Sequence, residues 1–534
     1  MKKTLTFILA VCMVCLALAG CTAKEPAAEP SSAPDSSAAP GEAAPGGDAT
    51  TAPASGKTEI NLAINRAFNS PDPSLNNGTI VANQVLWQAY EGLVFVNASG
   101  AYEPRVAERY ELSSDGLVYT FHINPNAKFH NGDAVKASDV VYSIERALRL
   151  NGGYWSSQIP TYESITAVDD ATVEVKLTKF SVSFLESFSY FPIISEAVTT
   201  AAGDDVAATT ALQNGTGPYM LMECKGDTGA RLEAFDDYYR GAPAIKVINY
   251  KVITNNSTRL AAFENGELDM IDIPTANWSE ISSSGNYTTY LAPTSHDSYI
   301  FFNDSKGPLA DIRVRQALAY ATNRDDIIIM AYDGLAEKAY SMLNPNFVAG
   351  SQIDTVEKYE YNPEKAKALL AEAGYAGGVD AGTLVSSAGS YYEKIINILQ
   401  AQWAEVGVTV QVQTNEAAVI TESLYAGKYD ICCTGRNAGA TVDSMYGVMG
   451  NSGASFVQNH EDALNNEIDA LFIQGAGDPN EETRNATYSA LCEKINTYCA
   501  FFCIFHKSVP YAWNTALNAG VGLNYYFVYD FSWE

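Results

Sequence analysis

The sequence predicts a mixed α/β protein, because patterns typical of strands and patterns typical of amphipathic helices alternate along it. Thr172–Leu177 alternates apolar and polar residues, which predicts a half-buried strand, and Leu117–Ile123 has a similar period. A helical pattern over Lys394–Val406 leads directly into a further strand pattern, Val408–Val412. Strands and helices mixed in this way favour central sheets with helices packed on their faces.

Capping residues predict the starts of three helices. Ser138 is predicted to cap one helix, and Asp311 to open a second helix that continues through Ile327. Asn362 opens the third helix, with proline at the first helical position, and Gly374 ends it.

The chain has 534 residues and a formal net charge of −29. Residues 58–534 suffice for two or three domains at about 100–200 residues each. The acidic balance excludes a nucleic-acid-binding protein, which needs a basic surface. It predicts a solvated acidic surface, and a surface that collects cations is the alternative.

The amino-terminal segment has the features of an export signal. Lys2 and Lys3 precede the apolar stretch Leu5–Leu18, which is too short for a helix that stays in the membrane. Small residues stand directly before Cys21, and this ending resembles the lipobox of bacterial lipoproteins. The resemblance implies that residues 1–20 are a signal peptide and that Cys21 carries a lipid anchor.

Residues 21–57 are predicted to be the lipidated cysteine and a disordered tether rich in alanine, proline and serine. As a flexible coil, this tether spans about 35 Å. No further stretch of about 20 apolar residues occurs in the sequence, so no other membrane span is expected. The protein is therefore expected on the outer face of the cytoplasmic membrane, anchored by lipid on its extracellular or periplasmic side.

The six cysteines of the predicted body show no regular disulfide spacing. We predict that most of them are small apolar core residues. They are Cys224, Cys432, Cys433, Cys492, Cys499 and Cys503. Cys499 and Cys503 with His506 resemble a set of metal ligands, but the apolar run Ala500–Phe505 favours a buried strand. The sequence therefore predicts no metal and no cofactor.

The common catalytic motifs are missing from the sequence. None of the five histidines has a second histidine four residues later, as a zinc-protease motif requires. A Gly-x-Ser-x-Gly elbow is missing, and Gly215–Gly217 lacks the third glycine of a dinucleotide-binding loop. These observations favour a protein that is not an enzyme, although a convergent active site leaves no motif.

The stretch Tyr90–Leu148 contains a series of short motifs. They are Glu91–Leu93, Pro104 with Ala107 and Glu108, Asp115–Phe121, Lys128–Gly132 and Asp139–Ser143. Their order and spacing resemble the family 5 extracytoplasmic solute-binding proteins, which serve oligopeptide, dipeptide and nickel importers of the ABC type. The similarity continues at Gly215–Tyr219, Arg259–Ala262, Gly266–Asp269, Asp311–Leu318, Asn362–Tyr375, Ala404–Val408, Gly427–Asp430 and Tyr529–Trp533. It therefore covers nearly all of residues 60–534.

Most of these motifs are expected to be structural. Asp115 and Gly116 predict a hairpin turn between two apolar runs. Gly215–Tyr219 is expected to be a rigid crossing where the chain passes between lobes. Arg313 and Arg315 are expected to face away from Val314 on a capped helix.

The resemblance implies a class II periplasmic-binding-protein-like fold, with two α/β lobes joined by crossing strands, an additional segment, and a ligand cleft between the lobes. It places lobe one at residues 58–90, 211–300 and 500–534, the additional segment of lobe one at 91–210, and lobe two at 301–499. Such proteins close their lobes over a ligand. The implied partners are a small solute and ABC permease and ATPase subunits, and the protein is expected to be a monomer.

Peptide binders of the family hold the ligand's α-amino group with an aspartate, four residues after the glycine of a Gly-Trp pair. That pair aligns here with Gly435 and Arg436, and the aspartate position falls on Gly439. The candidates in this segment are therefore Gly435, Arg436, Asn437 and Asp443, the nearest acid. Arg436 is a candidate for binding a carboxylate or another anion through a bidentate fork, and a surface or inter-lobe arginine is the alternative.

Position in the implied fold gives six further candidates for ligand contact. They are Phe68 and Asn69 after the first strand, Ser386, Ser387 and Gly389 after a strand of lobe two, and Tyr340 before a loop that contains proline. For each of them the alternative is a packing or turn residue.

The predicted ligand is an oligopeptide or a related small solute. A nickel chelate requires histidines in the cleft, for which His296 and His460 are the candidates. An oligosaccharide requires stacked aromatic rings, for which Trp155, Trp278 and the many tyrosines are available. An anionic solute is favoured by Arg436. A secreted hydrolase and a peptide-sensing lipoprotein are the alternatives from other functional classes.

Overall fold

The computed structural model describes residues 56–67, 70–75, 80–97, 101–342, 344, 356–437, 442–450, 457–459, 461–522 and 525–534. The predicted signal peptide and Cys21 lie outside these residues. Within them, no helix is both long enough and apolar enough to cross a membrane.

The strands are β1 Glu59–Ile64, β2 Val94–Val96, β3 Tyr102–Pro104, β4 Ala107–Leu112, β5 Val118–Ile123, β6 Tyr162–Ala167, β7 Thr172–Leu177, β8 Tyr219–Lys225, β9 Gly229–Ala234, β10 Val247–Val252, β11 Met270–Asp272, β12 Tyr287–Phe302, β13 Ala336–Lys338, β14 Val379–Ser387, β15 Val408–Asn415, β16 Ile431–Asn437, β17 Phe501–Asn514, β18 Leu517–Asn518 and β19 Ser532–Trp533.

The α-helices are α1 Ile80–Leu86, α2 Ala137–Leu150, α3 Gly152–Gln158, α4 Phe184–Ser189, α5 Glu196–Ala201, α6 Thr209–Leu212, α7 Asn256–Glu264, α8 Trp278–Ser283, α9 Ile312–Tyr320, α10 Arg324–Tyr332, α11 Pro363–Glu372, α12 Tyr391–Glu405, α13 Ala417–Tyr425, α14 Tyr446–Met449, α15 Ala463–Ala476 and α16 Glu481–Tyr498. Short 3-10 helices lie at Pro73–Leu75, Thr275–Asn277, Gly307–Ala310, Val442–Met445 and Val528–Asp530.

Eleven strands of the described residues form the main sheet, in the order β15-β14-β16-β12-β17-β11-β1-β10-β9-β8, with β13 paired to β17. In its first half (β1 and β8–β11), β1 runs parallel to β10. In its second half (β14–β16), β14 runs parallel to both neighbours. Strands β4–β7 form a separate antiparallel sheet. Parallel strands combined with helices confirm the predicted α/β class.

Strands β12 and β17, here called the crossing strands, join the two halves of the main sheet. They pair antiparallel from Tyr287 opposite Asn514 to Phe301 opposite Phe501. β17 also pairs with β11 of the first half, and β12 with β16 of the second half. The register of the crossing strands is irregular between Pro293 and Asp297. The extra residues lie on β12, so a local bend in β12 is expected here.

A buried acid lies at this irregularity. The Asp297 carboxylate is fully buried and accepts hydrogen bonds from His506 Nδ1 (2.7 Å), Asn344 Nδ2 (2.8 Å) and the Tyr299 hydroxyl (3.0 Å). Burial raises the pKa of Asp297, and the hydrogen bond from His506 opposes that rise. Because His506 lies on β17 and Asp297 on β12, this bond holds the two crossing strands together where their backbone pairing is interrupted.

Separate apolar clusters cover the parts of the fold. One includes Ile60 and covers the first half of the main sheet. Two others, around Trp403 and around Phe301, lie in the second half. The β4–β7 sheet has its own cluster around Phe121. Several independent cores are expected for a chain of this length.

The predicted role of the cysteines is confirmed. All six cysteines of the described body are free thiols, and five are buried, whereas Cys224 is half-buried. Burial raises the pKa of the Cys492 thiol to about 12, so this thiol is inert at neutral pH.

The predicted start of the first helix is wrong. α2 begins at Ala137 with Lys136 as its N-cap, two residues before Ser138. The reason is the carboxylate of Asp139, which accepts a hydrogen bond from the backbone N–H of Lys136 (2.9 Å). A carboxylate at the third helical position that binds back to the N-cap favours the earlier start.

The single helix predicted from Asp311 through Ile327 is also wrong. α9 ends at Tyr320, and α10 begins after Asn323. The Asn323 side chain accepts hydrogen bonds from the backbone N–H groups of Asp325 and Asp326, as an N-cap does. The 3.6-residue apolar period continues across this break, so periodicity alone does not reveal it.

Other local predictions are confirmed. Asp311 caps α9 by accepting a hydrogen bond from the N–H of Arg313 (2.9 Å), and Asn362 caps α11 in the same way. Gly374 follows α11 with φ +93°. Gly116 has φ +73° in the turn between β4 and β5, where a side chain would be strained.

The prediction that Gly215–Tyr219 crosses between the lobes is wrong, because this segment stays within the first half of the main sheet. It leads into β8 and packs against the backbone at Gln88 and Ala89. The N–H of Gly217 donates to the Ala89 carbonyl (2.9 Å), and a Cβ on Gly215 would lie 2.0 Å from that oxygen. The glycines are therefore required by close backbone packing.

Arg315 is a structural arginine, although it belongs to one of the family-like motifs. It is fully buried. Its guanidinium donates to the carbonyls of Tyr498 (2.7 Å), Cys499 (3.0 Å) and Leu309 (2.8 Å). It therefore supplies donors to the carboxyl-terminal carbonyls of α16, which have no partners within the helix.

Replacing Arg315 with methionine is expected to destabilise the fold by about 3 kcal/mol or more, since each buried carbonyl left without a donor costs about 1–3 kcal/mol. The free energy of unfolding in urea measures the effect. Arg313→Ala is the matched control on the same helix, because Arg313 forms an exposed ion pair with Asp311. Similar losses in the two variants would contradict the structural role of Arg315.

Candidate ligand-binding cleft

A cavity of about 320 Å³ lies between the two halves of the main sheet. Its lining residues are Ala63, Ile64, Asn65, Gln84, Met270, Ile271, Asp272, Ala292, Thr294, His296, Asn437, Lys507, Val509, Tyr511, Val521, Gly522 and Tyr526. Its volume and its mixture of apolar walls with a few polar groups are typical of a small-molecule site.

The crossing strands form one wall of this cavity. Alternate residues of a strand point to the same face. The alternate residues that reach the cavity are Ala292, Thr294 and His296 of β12, and Lys507, Val509 and Tyr511 of β17. Asp297 and His506, which alternate with them, form the buried network described above. One face of the crossing strands therefore contacts the cavity, and the other holds that network.

Lys507 is the basic residue among the cavity-lining residues. It follows the buried run Phe501–His506 on β17 and is half-buried. Its Nζ lies 5.9 Å from the ring centre of Tyr391 and 6.0 Å from that of Tyr332. Among the described residues, no carboxylate lies within ion-pairing distance of Lys507. Burial lowers the pKa of the Lys507 ammonium, and the negative charge of Asp272 opposes that fall.

Asp272, at the end of β11, is the acidic residue among the cavity-lining residues. Its Oδ2 accepts a hydrogen bond from Arg259 Nη2 (3.1 Å), and Arg259 is buried. Burial raises the pKa of Asp272, and the charge of Arg259 opposes that rise. Asp272 and Lys507 do not pair with each other, so the cavity contains separated charges of opposite sign.

His296 connects the cavity to the second half of the sheet. Its Nδ1 lies 3.0 Å from Asn437 Oδ1, and its Nε2 lies 2.9 Å from the Tyr392 hydroxyl. The Tyr391 hydroxyl donates to that of Tyr392 (2.8 Å). Burial, helped by the charge of Lys507, lowers the pKa of His296 to about 4. The imidazole is therefore neutral at physiological pH.

Gly435 leaves room for this hydrogen-bond chain. A Cβ at this position would lie 1.8 Å from the Tyr392 hydroxyl, 2.4 Å from His296 Nε2 and 2.8 Å from the carbonyl oxygen of Asp297. Any side chain at Gly435 would therefore displace the tyrosine and the histidine. The need for glycine comes from packing beside the cavity.

The three candidate residues of β16 differ in their position relative to the cavity. Asn437 lines the cavity, and Gly435 lies directly behind it. Arg436 is opposite Asp297 in the register and is not among the cavity-lining residues. Because side chains alternate along a strand, Arg436 points to the other face of β16. Anion binding by Arg436 stays a prediction.

Four other predicted candidates are described and do not line this cavity. The Tyr340 hydroxyl donates to Glu360 (2.7 Å). Ser386 is buried near the end of β14, Ser387 is its last residue, and Gly389 lies in the turn that follows with φ +67°. Their part in ligand binding stays a prediction.

The side chains of the remaining candidates lie outside the part of the chain that the structure describes. Cys21, Phe68 and Asn69 lie outside the described residues, as does the side chain of Asp443. His460 also lies outside them.

Sequence reasoning missed Lys507 and Asp272, and considered His296 only as a nickel ligand. The available signal was a lysine inside a long apolar strand and an aspartate directly after buried Met270 and Ile271. A charge at such a position is costly unless it has a partner or a function. Sequence alone does not show that these residues meet, since more than 200 positions separate Asp272 from Lys507.

Comparisons with known proteins agree with this architecture. Residues 101–456 match the family model of bacterial extracellular solute-binding proteins, family 5 Middle. Heme-binding protein A of Haemophilus influenzae is 29% identical over 433 residues, which cover 75% of this chain and 78% of that protein. Glutathione-binding protein GsiB of Pectobacterium atrosepticum is 31% identical over 365 residues, which cover 67% of this chain and 69% of that protein.

The fold is also similar to a solved structure. The crystal structure of the ABC transporter substrate binding protein CtaP from Listeria monocytogenes aligns with a TM-score of 0.80 and 22% identity, over 89% of this chain and 99% of that one. The predicted two-lobed fold with a cleft between the lobes is confirmed. Fold and cleft define a solute-binding protein. The chain belongs to the family 5 bacterial extracellular solute-binding proteins.

The neutral state of His296 predicts a pH dependence of stability. The folded protein holds the pKa of His296 at about 4, whereas an unfolded histidine titrates near about 6.5. Protons therefore bind the unfolded chain first, and stability falls as the pH drops from about 6.5 towards 4. Between pH 7 and pH 5, the wild type is expected to lose about 1–2 kcal/mol more than His296→Gln.

Urea unfolding of both proteins at the two pH values measures this difference. His122→Gln is the control, because His122 lies on β5, outside the cavity. Equal losses in the wild type and His296→Gln would contradict a neutral, buried imidazole.

Proposed function

We propose that this protein is the substrate-binding lipoprotein of an ABC importer and that it captures short peptides by closing its two lobes. Membership of the family supports a role in solute capture. The names of two similar proteins, a glutathione-binding protein and an ABC transporter substrate binding protein, support a peptide-like ligand and an importer. The closed, loaded form delivers the peptide to the permease, whose ATPase subunits drive transport.

The observation that carries the peptide proposal is the pair of separated charges in the cavity. Asp272 and Lys507 both line it and form no ion pair with each other, and Asp272 keeps 34% of its side chain exposed beside its ion pair with Arg259. A peptide with free ends carries an ammonium group and a carboxylate, and so it complements both charges. Tyr511 and Tyr526 add aromatic surface for peptide planes and side chains.

Lobe closure is the mechanism that this architecture supports. The cavity has walls from both halves of the main sheet and from the crossing strands between them. A ligand that contacts all three walls binds the closed form more tightly than the open form, and so shifts the population towards closure. No covalent step is needed.

A nickel chelate fits the cavity less well. Both ring nitrogens of His296 have hydrogen-bond partners, so the imidazole has no free lone pair for a metal. An oligosaccharide is also less favoured, because Trp155 and Trp278 are not among the lining residues. An anionic solute is the second candidate, since Lys507 has no ion pair within the described residues.

A mixture of tri- to pentapeptides tests the proposed ligand. The full chain, extracted from membranes in mild detergent, is expected to retain a ladder of peptide masses in native mass spectrometry. A peptide binder that recognises main-chain groups tolerates many side chains. Retention of a single non-peptide compound from the host, with no peptide bound, would contradict the peptide proposal.

The proposed anchor is tested by replacing Cys21. Cys21→Ala is expected to move the protein from the membrane fraction to the medium or periplasm and to abolish labelling by a fatty-acid analogue, because acyl chains supply the membrane affinity. Cys224→Ala is the matched control and keeps the protein in the membrane fraction. Membrane retention of Cys21→Ala would contradict the lipoprotein proposal.

A further inference from the structure

The hydrogen bonds around His296 run in one direction. Asn437 Oδ1 can only accept, so the ring proton of His296 lies on Nδ1. Nε2 then carries the ring's lone pair, which accepts a hydrogen bond from the Tyr392 hydroxyl. Tyr392 in turn accepts from Tyr391. The chain therefore runs from Tyr391 through Tyr392 and His296 to Asn437.

The direction of this hydrogen-bond chain determines which atoms of Asn437 are available to a ligand. One lone pair of the side-chain oxygen accepts from His296, and both N–H bonds of Nδ2 remain for a ligand. Within the described part of the chain, Nδ2 has no hydrogen-bond partner. The side chain is exposed and lines the cavity. Asn437 therefore offers the ligand donors, and it binds a ligand group that accepts.

Lys507 adds a positive charge close to these donors. Its Nζ lies 5.9 Å from the ring centre of Tyr391, whose hydroxyl lies 3.3 Å from His296 Nε2. Asn437 is hydrogen-bonded to the other ring nitrogen of His296, and both Lys507 and Asn437 line the cavity. The Lys507 ammonium and the Asn437 amide together form a cationic corner of the cavity that is rich in hydrogen-bond donors.

We propose that Lys507 and Asn437 bind the carboxylate end of the ligand, while Asp272 faces its ammonium end. This inference rests on the proposed function and names the ligand class more narrowly, as a zwitterion bound in one direction. A carboxylate accepts several hydrogen bonds and gains strength when a donor is charged. Both properties match the Lys507–Asn437 corner.

Asp272 is placed for the opposite end. It belongs to β11 of the first half of the sheet, whereas Asn437 belongs to β16 of the second half. Its side chain keeps 34% of its surface exposed despite the bond to Arg259. A ligand with its ends on Asp272 and Asn437 contacts both halves of the sheet. Its two charges therefore favour the closed state.

The test compares tri- to pentapeptides with free ends to the same peptides amidated at the carboxyl end. The full chain in detergent is expected to bind the free acids about tenfold or more tightly, because a hydrogen bond to a charged group contributes about 1.5–3 kcal/mol. Lys507→Gln is expected to remove most of this preference by weakening the binding of the free acids. Calorimetric titration or native mass spectrometry measures both affinities.

Asn437→Asp is a second variant that tests the assignment even if Lys507→Gln fails to fold. Asn437 is exposed, so its replacement is expected to leave the fold intact. The introduced carboxylate repels the carboxylate of the ligand, so the variant is expected to bind free acids more weakly and to spare the amides. Lys338→Gln is the matched control, because Lys338 lies on β13 beside β17, pairs with Asp325, and does not line the cavity.

The outcomes separate this inference from the proposed function. Equal affinity of the wild type for acids and amides would overturn the carboxylate assignment and leave peptide capture intact. A preference for acids that persists in both Lys507→Gln and Asn437→Asp would also overturn it. If the wild type binds neither mixture, both the peptide function and the assignment fail.

Discussion

The antiparallel pairing of the crossing strands is the interaction on which the rest of the structure depends. β12 and β17 are 16 and 14 residues long and are hydrogen-bonded to different halves of the main sheet. Their register is irregular between Pro293 and Asp297, where β12 carries extra residues and is expected to bend. The bond between Asp297 and His506 keeps the strands together at that point. A bend at a fixed place suits the lobe closure that we propose.

Buried guanidinium groups hold helices of the second half of the fold against β17, which forms part of the cleft wall. Arg315 binds carbonyls at the end of α16, and Arg324 binds the carbonyls of Cys503 (3.0 Å) and Tyr359 (2.9 Å). Each connects a helix to β17 or to its preceding turn. The strand that carries Lys507 is therefore held in place before a ligand arrives. Binding then costs less ordering of the protein, which leaves more of the contact energy for affinity.

The local structure was largely predictable from sequence, and the site was not. β7 has the bounds that its alternation predicts, and the caps at Asp311 and Asn362 follow from local hydrogen bonds. The break at Asn323 was missed because a cap within a continuous apolar period leaves a weak signal. Lys507, Asp272, His296 and Asn437 are brought together only by strand register, which depends on pairings over long sequence distances.

The acidic balance of the chain gives a reason for a cleft that holds both signs of charge. With a net charge of −29, the protein repels anions at long range, although salt limits this field to about 10 Å at 0.1 M. Lys507 attracts a carboxylate only after the ligand has entered. A zwitterion has no net charge, so it enters without that repulsion and then meets an opposite charge at each end. A dicarboxylate of the same size meets repulsion both at entry and at Asp272. The separated charges therefore favour a zwitterion over a dicarboxylate of similar shape, because the two ligands differ in the charge of the end that faces Asp272.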